Sequence, residues 1–217
     1  MINAIVFDLD GTLLDTITTI TYYVNLALKR EGIGEVSEQE CKYFAGNGAK
    51  TLIRRAVESR GVYDEDIIYR VREYYNSKYN SDTLYLTEPY SQIRELLKAL
   101  KEKNVKLAVL SNKPDDATRD IIPSFFPDTF DVVHGGREGV ALKPAPDALY
   151  EVYKELGVTA DEVIYVGDTN VDMQTGKNGG AKITVGVLWG FRTREELTQS
   201  GADVLIESPL ELLQLIG

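Results

Sequence analysis

Ile2-Asn3-Ala4-Ile5-Val6-Phe7-Asp8-Leu9-Asp10-Gly11-Thr12 is the stretch that decides the fold. Ile2 to Phe7 is a run of apolar, mostly β-branched residues, the composition of a short buried strand. It stops at two carboxylates one residue apart, followed by a glycine turn and a hydroxyl. A strand that delivers acids to its carboxyl end fits the place where open α/β sheets put their chemistry. Carboxylates this close repel, so the arrangement costs stability unless a cation or a shared proton intervenes. Taken alone, Asp8 and Asp10 also fit a plain turn, since Asp and Gly are common turn residues. Later stretches decide between the two.

Working outward, Leu13 and Leu14 continue the apolar segment. Asp15-Thr16 then offers an N-cap for a helix to about Arg30, which Gly32 and Gly34 stop. From there to about Tyr79 the pattern is helical. Ser37 with Glu40 resembles a capping box, and Ala49–Arg60 and Asp64–Tyr79 read as further helices. Eight of the thirteen tyrosines fall between Tyr22 and Tyr79. This stretch, residues 15–84, is expected to be a small helical domain inserted into an α/β core made of residues 1–14 and 85–217.

After Thr87-Glu88-Pro89 helix and strand alternate. Pro89 suits the first turn of a helix, with Ile93, Leu96, Leu97 and Leu100 on one face. Val105–Leu110 reads as a strand, and a helix follows from about Pro114 to Ser124. A short strand around Val132 and Val133 ends in a Gly135-Gly136 loop. Lys143-Pro144-Ala145-Pro146 introduces a helix that buries Leu149, Val152, Tyr153 and Leu156 and stops at Gly157. Val163–Val166, Ile183–Leu188 and Val204–Ile206 complete the strands. Alternation of this kind implies a Rossmann-like parallel sheet with helices on both faces.

Composition narrows the function classes. A net charge of −10 and a pI near 4.7 argue against a nucleic-acid partner, which needs clustered Lys and Arg. One cysteine, Cys41, and one histidine, His134, exclude an intrachain disulfide and any Cys- or His-rich metal cluster. No segment approaches 18 apolar residues and no basic leader is seen, so a cytoplasmic protein without membrane contact is expected. It is expected to be a monomer or a homodimer.

Polar groups gather at the ends of the expected strands: Asp8 and Asp10, Ser111, Lys143 at a helix approach, and Asp168 with Asp172. In a parallel sheet these ends converge on one edge. Four carboxylates and one lysine there leave about three negative charges, which calls for a hard divalent cation, and carboxylate oxygens suit Mg²⁺. With Mg²⁺ and Lys143 in place, an acidic pocket can hold a phosphate.

Asp8-Leu9-Asp10-Gly11-Thr12, Ser111-Asn112-Lys113, Lys143-Pro144 and Gly167-Asp168-Thr169-Asn170-Val171-Asp172 occur in that order across nearly the whole core. In this the sequence resembles the haloacid dehalogenase superfamily, and closely its phosphoglycolate phosphatase-like branch, with the helical insertion where that branch carries its cap. The resemblance implies a phosphatase for a small phosphorylated metabolite, 2-phosphoglycolate first. Asp8 would be the nucleophile that forms an aspartyl-phosphate. Asp10 would protonate the leaving alcohol and then deprotonate the attacking water. Asp8, Asp10 through its backbone carbonyl, and Asp168 would hold Mg²⁺, with Asp172 as a ligand or an anchor beside them. Ser111 and Lys143 would hold phosphoryl oxygens, with Thr12 and Asn112 also placed at the substrate.

Other readings of these residues stand beside that one. Ser111 could cap the next helix, Lys143 could be a solvated loop lysine, and Asp172 could serve the helix dipole. His134 reads as a surface residue at a strand end, and Trp189 as packing. In the helical insertion, Gly46-Asn47-Gly48-Ala49-Lys50-Thr51 superficially resembles a nucleotide P-loop, but that pattern needs glycine where Phe44 or Ala49 stands. The resemblance instead places Gly46, Asn47, Gly48 and Lys50 on a cap loop facing substrate. Lys50 and Arg54, four apart, share a helix face that could attract a carboxylate or be simply solvated. A sugar phosphomutase of the same superfamily is the competing enzyme. A phospho-accepting signalling receiver is the competing non-enzyme, although its acid pair precedes the phosphorylated Asp on a different strand and it carries no inserted cap.

Overall fold

The computed structural model describes residues 1–216. The chain forms two compact units, one made of Met1–Asp15 with the chain from Pro89 onward, the other of Thr16–Glu88.

The first unit is built on a six-stranded sheet. Its strands are β1 (Ala4–Phe7), β4 (Lys106–Pro114), β5 (Val132–Gly136), β6 (Val163–Gly167), β7 (Ile183–Val187) and β8 (Val204–Ile206), in the spatial order β5-β4-β1-β6-β7-β8. Two-residue strands β2 (Leu14–Asp15) and β3 (Glu88–Pro89) mark where the chain departs and returns. Every pairing in the large sheet is parallel. Such strands are buried on both faces, which explains why each reads as an unbroken apolar run. Alternation along β1 separates two cores. Ile5 and Phe7 pack with Leu96, Leu97 and Leu100 of α5 (Ile93–Glu102), while Ala4 and Val6 pack with Leu149, Val152 and Leu156 of α7 (Asp147–Leu156).

Register then positions the chemistry. Phe7 lies level with Val109 of β4 and with Val166 of β6. Asp8 and Asp168, just past the ends of β1 and β6, and Ser111, in the last part of β4, therefore lie on three adjacent strands within a residue or two of the same height. After β1 the chain builds outward through β4 and β5, then returns to the other side of β1 with β6. The direction reverses beside β1, the topological switch point where open α/β sheets form a crevice.

Some boundaries differ from expectation. β4 runs on through Ser111-Asn112-Lys113 to Pro114, with a register shift after Leu110, and β5 includes Gly135-Gly136. The reason is a close approach: a side chain on Gly135 would sit 2.6 Å from the Lys113 carbonyl oxygen, so glycine alone lets β5 run beside the extended β4. The following helix, α6, spans Asp115–Phe125. Pro89 sits in β3 and not in a helix, because α5 starts only at Ile93.

The second unit contains, among the described residues, four helices: α1 (Ile17–Arg30), α2 (Glu38–Phe44), α3 (Ala49–Glu58) and α4 (Glu65–Tyr79). Ser37 and Glu40 form the reciprocal capping box, with Glu40 N–H donating to Ser37 Oγ at 3.2 Å and Ser37 N–H to Glu40 Oε2 at 2.8 Å. Asp64 caps α4 by accepting from the Asp66 and Ile67 amides. The tyrosine-rich composition is explained in part by packing: Tyr23, Tyr75 and Tyr79 are buried, Tyr75 stacked on Tyr79 and Tyr23 edge-on to it. No helix among the described residues is long and apolar enough to cross a membrane.

Candidate active site

Asp8, Asp168 and Asp172 meet at the carboxyl ends of β1 and β6, each offering an oxygen within 4.8 Å of the others, and all three are buried. Lys143, from the loop before α7, reaches between them. Its Nζ lies 2.7 Å from Asp8 Oδ1 and 2.7 Å from Asp172 Oδ1, and it donates to the Leu110 carbonyl at 3.0 Å. The Lys143 side chain is only 3% exposed, so the solvated-loop reading of Lys143 fails.

Burial sets the electrostatics. Without a metal ion, desolvation first and then the Asp172 charge push the Asp8 carboxyl up to about 7, against the pull of Lys143. Desolvation, then Asp172 and Asp8, hold Asp168 well above the carboxylate range. Desolvation opposes the charge on Lys143, but Asp172 and Asp8 outweigh it and keep that ammonium well above the ordinary lysine value. Buried carboxylates converging in this way form an all-oxygen donor set that fits a hard divalent cation.

Each acid has its own fastening. Asp172 Oδ1 accepts from Lys143 and from the Tyr165 hydroxyl, and its Oδ2 from the Thr169 amide and hydroxyl. It occupies the first turn of α8 (Asn170–Asn178), so it caps that helix and also anchors Lys143. Asp168 Oδ1 accepts from the Thr12 hydroxyl at 3.0 Å, and Oδ2 from the Phe191 amide at 2.8 Å.

Several of the expected site residues have partners within the protein. Thr12 turns its hydroxyl to Asp168. Asn112 holds the backbone of Lys143 with both amide atoms: Lys143 N–H donates to Oδ1 at 2.9 Å, and Nδ2 donates to the Lys143 carbonyl at 3.0 Å. Ser111 does not cap α6, whose N-cap is Pro114. Its Oγ accepts from the Lys113 amide at 3.2 Å, and its own O–H can still donate. His134 is buried rather than superficial. Its Nε2 sits 3.0 Å from Glu155 Oε1 and its Nδ1 3.0 Å from Arg137 Nη2, a tie between β5 and α7. In the helical unit, Gly46 and Gly48 both have positive φ, at 108° and 81°. Arg54 is held by Glu65 through two 2.6 Å bonds and by Glu58, which leaves Lys50 as the exposed cation of that helix face.

Two groups reach the site beyond the expected set, one expected only as part of a motif and the other as packing. Lys113 is as buried as Lys143, and its Nζ lies 3.6 Å from Asp10 Oδ1. Burial lowers it from the ordinary lysine value while Asp10 opposes the shift. Four carboxylates thus face two ammonium groups, and the site's excess is about two negative charges rather than three, the charge of one Mg²⁺. The other is Trp189-Gly190-Phe191, after β7. The Trp189 indole donates to the Thr12 carbonyl at 3.0 Å, which pins the turn after β1, while Phe191 N–H binds Asp168. A side chain on Gly190 would lie 2.3 Å from Asp168 Cβ and 2.5 Å from the Gly11 carbonyl oxygen, so only glycine admits this approach. The available signal was position, since this segment leaves a strand at the same sheet edge.

This geometry has close relatives. The haloacid dehalogenase-like hydrolase family matches residues 5–186. A phosphoglycolate phosphatase of Pectobacterium atrosepticum is 30% identical over an alignment 223 positions long, spanning all of this chain and 93% of that protein. One from Aquifex aeolicus is 30% identical over 215 residues, with 99% and 96% covered. A crystal structure of a candidate phosphoglycolate phosphatase from Lactobacillus delbrueckii subsp. bulgaricus superposes with a TM-score of 0.94 at 32% identity, covering 99% of this chain and 98% of that one. With the family's match running from the first strand through β7, and with these relatives alike over their whole length, the chain belongs to the haloacid dehalogenase-like hydrolases.

Proposed function

We propose that the protein is a Mg²⁺-dependent phosphatase for a small phosphomonoester, 2-phosphoglycolate first, acting through an aspartyl-phosphate on Asp8. The observation that carries this is the pairing of Asp8 with Lys143 inside a cluster of buried carboxylates at the switch point of the sheet. Full-length likeness to phosphoglycolate phosphatases supports the choice of first substrate.

Asp8 attacks phosphorus while Asp10 gives its proton to the departing alcohol oxygen. Asp10 then takes a proton from the water that attacks the phosphorylated Asp8, releasing phosphate and restoring both carboxyls. Lys143 and the Ser111 hydroxyl hold the phosphoryl oxygens, so the dianion meets a cation before it meets Asp8. Asp8, Asp168 and the Asp10 carbonyl would hold Mg²⁺, which when bound offsets charge on the phosphoryl oxygens. Asp172, saturated with hydrogen bonds, serves as the anchor of Lys143, Thr12 as the anchor of Asp168, and Asn112 as the clamp on the Lys143 backbone.

A metal role has a pH signature. A carboxyl raised on folding makes the native state hold a proton that the unfolded chain has lost, so its stabilisation is present at low pH and disappears as pH rises through about 7. The metal-free protein is therefore expected to lose stability from this group between pH 5 and 8. Mg²⁺ competes with that proton, so it should raise the melting temperature more at pH 8 than at pH 6. A thermal scan with and without chelator measures this. Equal shifts at both pH values, or none, would count against the metal site.

Substrate choice is assigned to the helical unit. Lys50→Ala is expected to lower kcat/KM for 2-phosphoglycolate about tenfold or more, a lost charge-assisted contact to the carboxylate. Hydrolysis of a phosphomonoester without a carboxylate should change far less. Equal losses on both would take Lys50 out of recognition. A screen of phosphorylated metabolites with Mg²⁺, reported as kcat/KM, tests the substrate assignment itself.

A further inference from the structure

Lys113 is a buried cation of the site to which the reaction above assigns no task. Its side chain is 3% exposed, and a lysine withdrawn from water this far needs a compensating anion. Asp10 supplies one. Asp10 Oδ1 is buried, accepts no hydrogen bond and faces the Lys113 ammonium at 3.6 Å, a charge contact slightly beyond hydrogen-bond length. The backbone beneath Lys113 is fixed on three sides. Its amide donates to Ser111 Oγ, its carbonyl accepts from the Thr118 hydroxyl, and Gly135 packs against that carbonyl. A lysine mounted on a strand in this way holds its partner more closely than one on a loop. The phosphoryl-facing position is already filled by Lys143, which lies between Asp8 and Asp172.

We propose that Lys113 is a positioning residue for Asp10: its buried ammonium holds the Asp10 carboxyl in the orientation from which it exchanges a proton with the leaving oxygen. The inference rests on the reading of Asp10 as the acid in the first half-reaction. In that step the bond from phosphorus to the alcohol oxygen breaks, the bond to Asp8 forms, and the proton moves from Asp10 to the alcohol. A carboxyl held in place for this transfer contributes to the transition state and little to binding of the ester. Its benefit should grow with the basicity of the leaving group.

The test is kcat/KM over a series of phosphomonoesters running from alkyl to activated aryl leaving groups, since kcat/KM reports on steps through alcohol release. Wild type, Lys113→Met, Lys113→Arg, Asp10→Asn and the double variant D10N/K113M are compared, with folding verified by circular dichroism and melting temperature. Lys113→Met is expected to lose about 10²-fold on alkyl phosphates, the scale of a general-acid contribution, and at least tenfold less on activated aryl phosphates. Asp10→Asn should steepen the dependence in the same direction. The double variant should be no steeper than Asp10→Asn alone, because residues acting through one group are not additive. Lys113→Arg, which keeps the charge, should recover part of the alkyl rate. A uniform loss across the series for Lys113→Met, while Asp10→Asn is steep, overturns the proposal and makes Lys113 a phosphoryl-binding or purely structural residue. A uniform loss for Asp10→Asn removes Asp10 as the acid, and the role of Lys113 falls with it.

Discussion

Asp8→Asn is expected to stop phosphate release, by about 10⁴-fold or more, in a protein that remains folded; losses of that size follow removal of a nucleophile that acts as a unit with its neighbours. The amide keeps the size of the carboxylate but cannot form the acyl-phosphate. Folding should survive because the charge removed is one that burial already disfavours. Asp8 is raised to about 7 by desolvation and by Asp172, so at pH 8 the metal-free wild type carries an anion it tolerates poorly. Lys143 keeps Asp172 and the Leu110 carbonyl as partners in the variant. The melting temperature without metal should therefore be no lower than wild type at pH 8, and its fall between pH 5 and 8 should flatten. Phosphate release measured with Mg²⁺, together with melting curves at the two pH values, separates these effects. Retained activity would remove Asp8 as the nucleophile. A collapsed fold would show that the Asp8–Lys143 pair contributes more to stability than desolvation takes away.

Lys143→Met should behave differently, losing stability as well as activity. Methionine fills a similar volume without a charge, which leaves Asp8 and Asp172 facing each other and the Leu110 carbonyl without this donor. Breaking a buried ion pair from one side costs about 3–5 kcal/mol, because the uncompensated partner stays buried. Here two carboxylates are stranded by one substitution, so the loss in the metal-free protein should fall at the upper end of that range. Turnover should drop by about 10²–10³-fold or more, the scale of a lost oxyanion donor. Mg²⁺ should restore part of the stability but not the rate. Chemical denaturation with and without Mg²⁺ measures the first, and steady-state kinetics the second. If the variant were as stable as wild type, Lys143 would not be the cation that balances the cluster.

The contrast between these lysines shows what a one-dimensional reading can reach. Asp8, Asp168 and Lys143 were legible because each follows an apolar run or opens a helix with Pro and Gly nearby, and parallel strands bring such ends together. Lys113 was not, because its neighbourhood is created by the register shift in β4 that draws residues 111–113 into the sheet. The same extension lets the Asn112 amide bond the Lys143 backbone. His134 escaped for a related reason: β5 runs on through two glycines, so a residue expected at an exposed strand end becomes enclosed. The Trp189 and Phe191 contacts depend on β7 ending level with β1, two strands away, a height that no local pattern encodes. In the helical unit, caps and apolar spacing were readable from neighbours three and four residues apart. The capture of Arg54 by Glu65, eleven residues on, required the fold.

The central claim is that Asp8 becomes covalently phosphorylated, and the most direct measurement is an acid quench of a single turnover with Mg²⁺ and 2-phosphoglycolate, followed by peptide mass spectrometry. The account predicts a transient phosphoryl group on the peptide holding Asp8, absent in Asp8→Asn, that decays as phosphate is released. Phosphate release with no phosphorylated Asp8 at any time, or with the phosphoryl group on another residue, would contradict it.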